Sequence, residues 1–382
     1  MLHFDEAEFE TRREKMLAAM RARRLDAMFL FAQESMYWLT GYDTFGYCFF
    51  QCLVVTAKGD MALLTRSADL RQAQLTSNIP DIHVWRDRAD AAPTRNLRDL
   101  AQEMGLLGAT IGVEYDTHGM TAANGRALDR EMKTFASLVD ASDLVSELRV
   151  VKSPAEIAYI RRAGELTDDA YEAALPLIED GADEAAILAA MQGAILAGDG
   201  DYPANEFIIG SGPQALLCRY YTGRRRLSAP DQLTLEWAGA CRHYHVAAMR
   251  TVVVGDPRDD HAEKFEAAAA ALEAVEQAMR PGRTFGDVFD AHASVLDGQG
   301  LARARLAACG YSLGARFSPS WMERQMFVTG SERAIEQGMS LFAHMIVMDS
   351  ETGTAMTLGR TYLTTTADPE PLSRLPIRMD IR

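Results

Sequence analysis

The chain predicts an α/β domain followed by an α+β domain. Three observations carry that prediction. Its 382 residues fit about two domains at roughly 100–200 residues each. The first third alternates short apolar runs with helix-period segments, the pattern of a small α/β domain. From Pro154 onward, two helical segments followed by strands occur twice, an internally pseudo-symmetric order without a residue-level repeat.

The elements follow in order. Phe9–Arg23 carries Met16, Leu17 and Met20 at helical spacing. Leu25–Phe31 reads as a buried strand, Gln51–Val55 and Met61–Leu64 as further strands about the Ala57–Asp60 turn. Leu97–Leu107 reads as a helix and Thr110–Glu114 as a strand. Ser153-Pro154-Ala155-Glu156 then combines an N-cap, a first-turn proline and an N3 glutamate, so a long helix is expected over Ala155–Leu177. The domain boundary is placed just before it, giving domains 1–147 and 148–382. A second helix follows over Ala185–Leu196, then strands at Phe207–Gly210, Gln232–Ala240 and Tyr244–Gly255. Helices return at His261–Met279 and Phe285–Gln299, and strands at Met339–Met348 and Thr354–Thr365.

Composition narrows the function classes. A net charge of −15 repels phosphate backbones and anionic lipid, so neither nucleic acid nor membrane is an expected partner. No apolar run reaches the roughly 18 residues of a membrane span, and the charged first residues show no secretory signal. The five cysteines, Cys48, Cys52, Cys218, Cys241 and Cys309, are scattered and form no C-x-x-C pair, which suits a reducing cytoplasm.

Four places hold residues capable of chemistry. Glu236 interrupts the apolar run from Leu233, and strand alternation puts it with Thr234 and Ala238 on one face. A carboxylate there either faces water or lines a cavity. His243 and His245 share a face of the returning strand, as metal ligands or as a polar strand face. Arg219 sits in an apolar context after Gly210-Ser211-Gly212 and suits a substrate carboxylate, while Gly223–Arg226 reads as a solvated turn. That glycine-serine-glycine stretch lacks the lysine of a phosphate loop. Further on stand Cys309–Gly314, Phe317–Met322, and His344 in an apolar strand, where a satisfied core histidine is the commoner explanation.

With these motifs the chain resembles the creatinase/prolidase/methionine-aminopeptidase superfamily, whose catalytic domain has the pita-bread fold. Leu148–Ile157, Ile209–Gly212, Arg250-Thr251, Gly310–Gly314 and the C-terminal strand pair carry the likeness. Trp38-Leu39-Thr40-Gly41-Tyr42 is similar to a motif of the creatinase-like N-terminal domain. In the metallopeptidases of the superfamily two Asp, one His and two Glu hold two metal ions. The resemblance maps those positions onto Glu236, Ala247, Tyr311, His344 and Gly359, so one carboxylate survives. Two closely spaced hard cations need several anionic oxygens.

The resemblance is nearest to members that work without metal, creatinase and the ectoine hydrolases. The latter are similar in placing Glu at the first ligand position, here Leu235-Glu236 followed by Gly239 and Arg242. Creatinase departs, since its late-strand Glu is Gly359 here and its active-site His is Arg219. The expectation is a metal-independent hydrolase of a C–N bond in a small zwitterionic or amidine compound, with no metal and no cofactor. Glu236 is nucleophile or general base, His344 protonates the leaving nitrogen, and Arg219 holds a substrate carboxylate. His243, His245 and Tyr311 complete the pocket. Three alternatives stand beside it: a Xaa-Pro dipeptidase-like metallopeptidase with altered ligands, a lyase on a zwitterion such as dimethylsulfoniopropionate, and a non-catalytic binding module. The resemblance also implies a homodimer in which the N-terminal domain reaches the partner's active site. Phe45 and Tyr47, flanking Gly46, are the expected residues there, while Phe49 and Phe50 pack within their own domain.

Overall fold

The computed structural model describes residues 2–221 and 223–382. The chain divides into two compact units, Met1–Arg149 and Val150–Arg382.

The first unit opens with α1 (Glu6–Ala22), capped by Asp5, whose carboxylate accepts from the Glu8 amide. Its buried residues Phe9, Arg12, Met16 and Met20 recur every three or four positions. β1 (Ala27–Leu30), α2 (Gln33–Thr40), β2 (Cys52–Thr56), β3 (Met61–Arg66), α3 (Leu70–Thr76) and β4 (Asp81–Trp85) follow. Next come α4 (Pro93–Glu103), β5 (Thr110–Val113), α5 (Ala122–Met132), β6 (Ser137–Asp140) and α6 (Leu144–Leu148). The six strands form one mixed sheet in the order β4-β3-β2-β1-β5-β6. Its central strands are buried on both faces, with one apolar cluster on each side. α2 ends at Gly41, whose φ of 77° is the left-handed C-cap that glycine adopts without a Cβ penalty.

The second unit begins with α7 (Pro154–Ala174), where Ser153 and Glu156 form the full capping box. α8 (Glu184–Ala197), β7 (Ile208–Ser211), β8 (Asp231–Cys241), β9 (Tyr244–Val254), α9 (Asp259–Ala278) and α10 (Phe285–Gly298) follow. The remainder is β10 (Ala308–Ser312), β11 (Met326–Val328), β12 (Ser340–Asp349), β13 (Thr354–Leu363) and the two-residue strands β14 (Glu370–Pro371) and β15 (Asp380–Ile381). Seven strands run in the order β11-β10-β12-β13-β9-β8-β7; β14 adds to β13 and β15 to β9. The α+β order of helices and strands is the expected one.

The helices cover one face of this sheet. α9 and α10 bury Ala267, Ala271, Leu272, Val288 and Leu296 with Leu341, Ala343, Met345 and Val347 of β12. α7 lies against β8 and β9. A Cβ on Gly239 would stand 2.1 Å from the Ala163 carbonyl oxygen, so only glycine admits the helix there. Trp237 stacks on Tyr171 at 5.0 Å and donates to the Thr167 carbonyl from the same side. The period of two then sends Glu236 to the opposite face.

Candidate active site

One line of paired residues crosses the sheet on that opposite face. Ile208 pairs with Glu236, Glu236 with Met249, Met249 with Gly359, and Gly359 with His344. Tyr311 pairs with Phe342, which is two residues before His344 and shares its face. Glu236, Tyr311, Phe342 and His344 are thus gathered from three strands, β8, β10 and β12.

Glu236 is 7% exposed. Burial pushes its carboxyl up to about 7; the Arg219 charge and a hydrogen bond from Tyr311 offset part of that rise. The Tyr311 hydroxyl donates to Oε1 at 3.3 Å, the one hydrogen bond the Glu236 side chain makes among the described residues. Oε2 is left without one. Trp321 Nε1 in turn donates to the Tyr311 oxygen at 2.9 Å. Burial, with Glu236 beside it, holds the Tyr311 phenol well above its ordinary value, so it stays protonated.

His344 is also 7% exposed, and its Nδ1 is buried without a hydrogen-bond partner among the described residues. Its ring lies 5.7 Å from Tyr311 and 5.5 Å from Phe342. Burial first, then the charges of His292 and Arg219, push it down to about 3. The ring is neutral near pH 7. Desolvation therefore works against the imidazolium form that the proton donation expected of His344 would use.

Other expectations are corrected as well. His243 is not on the strand. It and Arg242 are the central residues of the β8–β9 hairpin, with φ of 65° and 50°, as a two-residue I′ loop requires. Its ring stacks on Phe317 at 4.1 Å. His245 does share the Glu236 face, but both ring nitrogens are engaged with backbone: Nε2 accepts from the Ala204 amide at 2.9 Å and Nδ1 faces the Gly314 carbonyl at 3.4 Å. Burial pushes it down to about 3, and it serves as a neutral brace. Arg219 is exposed, close enough for its charge to act on Glu236, Tyr311 and His344. Arg225, expected in a solvated turn, pairs with buried Asp231 at 2.7 Å and donates to Ser211. In the first unit Phe45 is 72% exposed. Tyr47 is buried in its own unit, edge-on to Phe45 at 5.9 Å. Phe49 is exposed and lies under the Arg66 guanidinium, while Phe50 is buried as expected.

The five positions to which the resemblance maps metal ligands do not fit a dinuclear centre. Ala247 presents only backbone, which Thr361 Oγ1 engages at both the amide and the carbonyl. A Cβ on Gly359 would stand 2.7 Å from Phe342 Cζ, so the ring fills the space a carboxylate there needs. Among the described residues no three of His, Cys, Asp or Glu are placed to hold a metal ion. What remains is one carboxylate, one phenol and one imidazole, with too few anionic oxygens for two divalent ions.

Trp321 and Phe342 are the site residues that sequence reasoning missed. Trp321 stands in the Phe317–Met322 segment of proline and serine, where an isolated large indole is the one available signal.

The model of metallopeptidase family M24 matches residues 158–366, and that of the creatinase/prolidase N-terminal domain matches residues 12–151. The chain is 28% identical over 361 residues to an ectoine hydrolase from Halomonas elongata, covering 89% of each. It is 22% identical over 329 residues to a Xaa-Pro dipeptidase from Pyrococcus furiosus, covering 86% of this chain and 88% of the other. A solved prolidase from Thermococcus sibiricus superposes with a TM-score of 0.88 at 17% identity, over 98% of this chain and 99% of that one. At that identity the last likeness shows the fold alone, an α/β domain followed by a pita-bread domain.

Proposed function

The chain belongs to metallopeptidase family M24, a family of hydrolases, and from that membership and its altered ligand positions we propose a metal-independent hydrolase of a C–N bond in a small zwitterionic or amidine compound. The observation that carries the reading is Glu236: a buried carboxyl pushed up to about 7, with one oxygen bonded and the other open. A group that ionises near the working pH can take a proton and give it back. Glu236 Oε2 removes a proton from water as the water oxygen adds to the substrate carbon. The same carboxyl then returns that proton to the departing nitrogen as the C–N bond breaks. One residue supplies base and acid in turn, which needs no imidazolium at His344. Arg219 at the exposed rim pairs with a carboxylate of the substrate. The likeness to an ectoine hydrolase supports the compound class, and the unsuited metal positions count against the peptidase likeness of equal extent.

The test is a panel of cyclic amidines, N-acylated amino acids and Xaa-Pro dipeptides, followed by NMR before and after exhaustive chelation. Hydrolysis of an amidine or N-acyl zwitterion at a rate chelation leaves unchanged is the expected result. Activity confined to Xaa-Pro dipeptides, lost with chelator and restored by a divalent metal, overturns the reading.

A further inference from the structure

We propose that Trp321 is a positioning residue that aims the Tyr311 hydroxyl proton at Glu236 Oε1 and so leaves Oε2 as the reacting oxygen; this rests on the reading of Glu236 as the reactive group. An indole N–H donates and cannot accept. At 2.9 Å it occupies a lone pair of the Tyr311 oxygen, which must then offer its own proton elsewhere. Among the described residues its acceptor is Glu236 Oε1 at 3.3 Å. The direction of the relay, Trp321 to Tyr311 to Glu236, follows from donor chemistry.

The indole is held firmly enough to serve. Trp321 is 1% exposed. Its backbone amide donates to Asn205 Oδ1 at 3.2 Å, and its ring packs near Phe207 and His245. That also gives the neutral His245 a purpose, since its backbone bonds brace the wall behind the indole. A hydroxyl free to rotate would spend part of its time turned from the carboxylate, and either oxygen of Glu236 would then serve as acceptor. With the relay intact, Oε1 is engaged and Oε2 has no hydrogen bond among the described residues.

The groups acting electrostatically on Glu236 and its phenol partner are Arg219 and Cys218 from the segment after β7 and Tyr311 on β10, while the His344 ring on β12 packs 5.7 Å from Tyr311. Of these, the hydrogen bond from Tyr311 is the one Trp321 controls. It favours the ionised carboxyl, so weakening it raises the Glu236 pKa.

The experiment is a carboxyl 13C NMR titration of the full-length protein, with the Glu236 signal assigned by its loss in Glu236→Gln. Trp321→Phe is expected to raise the Glu236 midpoint by about 0.5 to 1 pH unit, the size of one hydrogen bond. Tyr311→Phe is expected to raise it at least as far, and the double variant no further than Tyr311→Phe alone. An unmoved midpoint in Trp321→Phe, or a double-variant shift equal to the sum of the two, overturns the relay. If Trp321→Phe does not fold, Asn205→Ala, which loosens the indole through its backbone, is read the same way. Because the titration needs no substrate, a failed relay leaves the functional reading standing. Conversely, full turnover by Glu236→Gln removes that reading while the titration still decides the relay.

Discussion

Glu114 in the first unit and Glu236 in the second are both buried carboxyls that burial pushes up to about 7. They differ in what surrounds the charge. Glu114 Oε2 accepts from the amides of Phe31 and Ala32 at 2.9 and 2.8 Å, and Oε1 accepts from Ser35 at 2.6 Å. It closes the start of α2, whose N-cap residue Ala32 has no side chain able to do so. Among the described residues the Glu236 carboxyl has one hydrogen bond, at 3.3 Å, and an unbonded oxygen. A raised pKa is therefore no signature of function by itself. The raised group with unspent acceptor capacity is the one equipped to react.

Removing each carboxyl is the strongest test of that distinction. Glu236→Gln keeps the shape and loses the proton chemistry. Turnover is expected to fall by about 10⁴-fold, the scale for losing a central catalytic group, with the thermal midpoint little changed. Glu114→Ala strands two buried amides. It is expected to lower unfolding stability by about 3 kcal/mol while the rate per folded molecule stays at the parent's. Denaturant titration and an active-site-normalised rate measure both; a stable Glu114→Ala or an active Glu236→Gln erases the contrast.

The two carboxyls also separate by pH. The acid limb of kcat/KM is expected to have its midpoint near 7, because the base form of Glu236 is required and Glu236 is pushed up to about 7. For stability the sign is the reverse. A carboxyl whose folded pKa lies above its unfolded value of 4.5 supports the fold fully below pH 4.5. That support is lost as pH rises through about 7, roughly 3 kcal/mol for a shift of this size. Glu114→Gln cannot ionise and its amide can satisfy the same three partners. Its unfolding free energy is expected to lack that decline, measured by urea titration from pH 4.5 to 8, with the kinetic limb unmoved. A limb that shifts in Glu114→Gln reverses the assignment of roles.

Much of the fold was legible because its signals are local. Ser153, Pro154 and Glu156 announce α7 within four residues, and the apolar run around Glu236 announces β8. α2 was not legible. Its eight residues lack a side-chain cap, and the group that closes it, Glu114, is some eighty residues away. The site divides the same way. Glu236 stood out as a charge in an apolar strand, but nothing local shows that Tyr311 meets the indole of Trp321 across an irregular segment. His344 was visible as a residue, but the desolvation that pushes its pKa down belongs to the assembled sheet and has no local signal. His243 and His245 are two positions apart, yet a hairpin turn separates their surroundings, and only two positive φ values reveal it.

The smallest expected effect concerns the rim. Arg219 is exposed, and among the described residues no hydrogen bond or ion pair holds it, unlike Arg225 seven residues beyond Cys218. Its charge still reaches the buried carboxyl and helps keep it from rising further. Arg219→Lys keeps that charge and loses the planar fork that meets a carboxylate with two parallel hydrogen bonds. KM is expected to rise about tenfold, with kcat changed by less than about twofold, because the contact is made equally in the ground and transition states. The acid limb should stay near 7, since a lysine ammonium supplies the same sign of charge. Arg219→Gln separates the two contributions: it removes the charge as well, so the limb should move upward along with KM. Equal loss in kcat and kcat/KM in Arg219→Lys would place the guanidinium at the reacting carbon, where the open oxygen of Glu236 is now assigned to act alone.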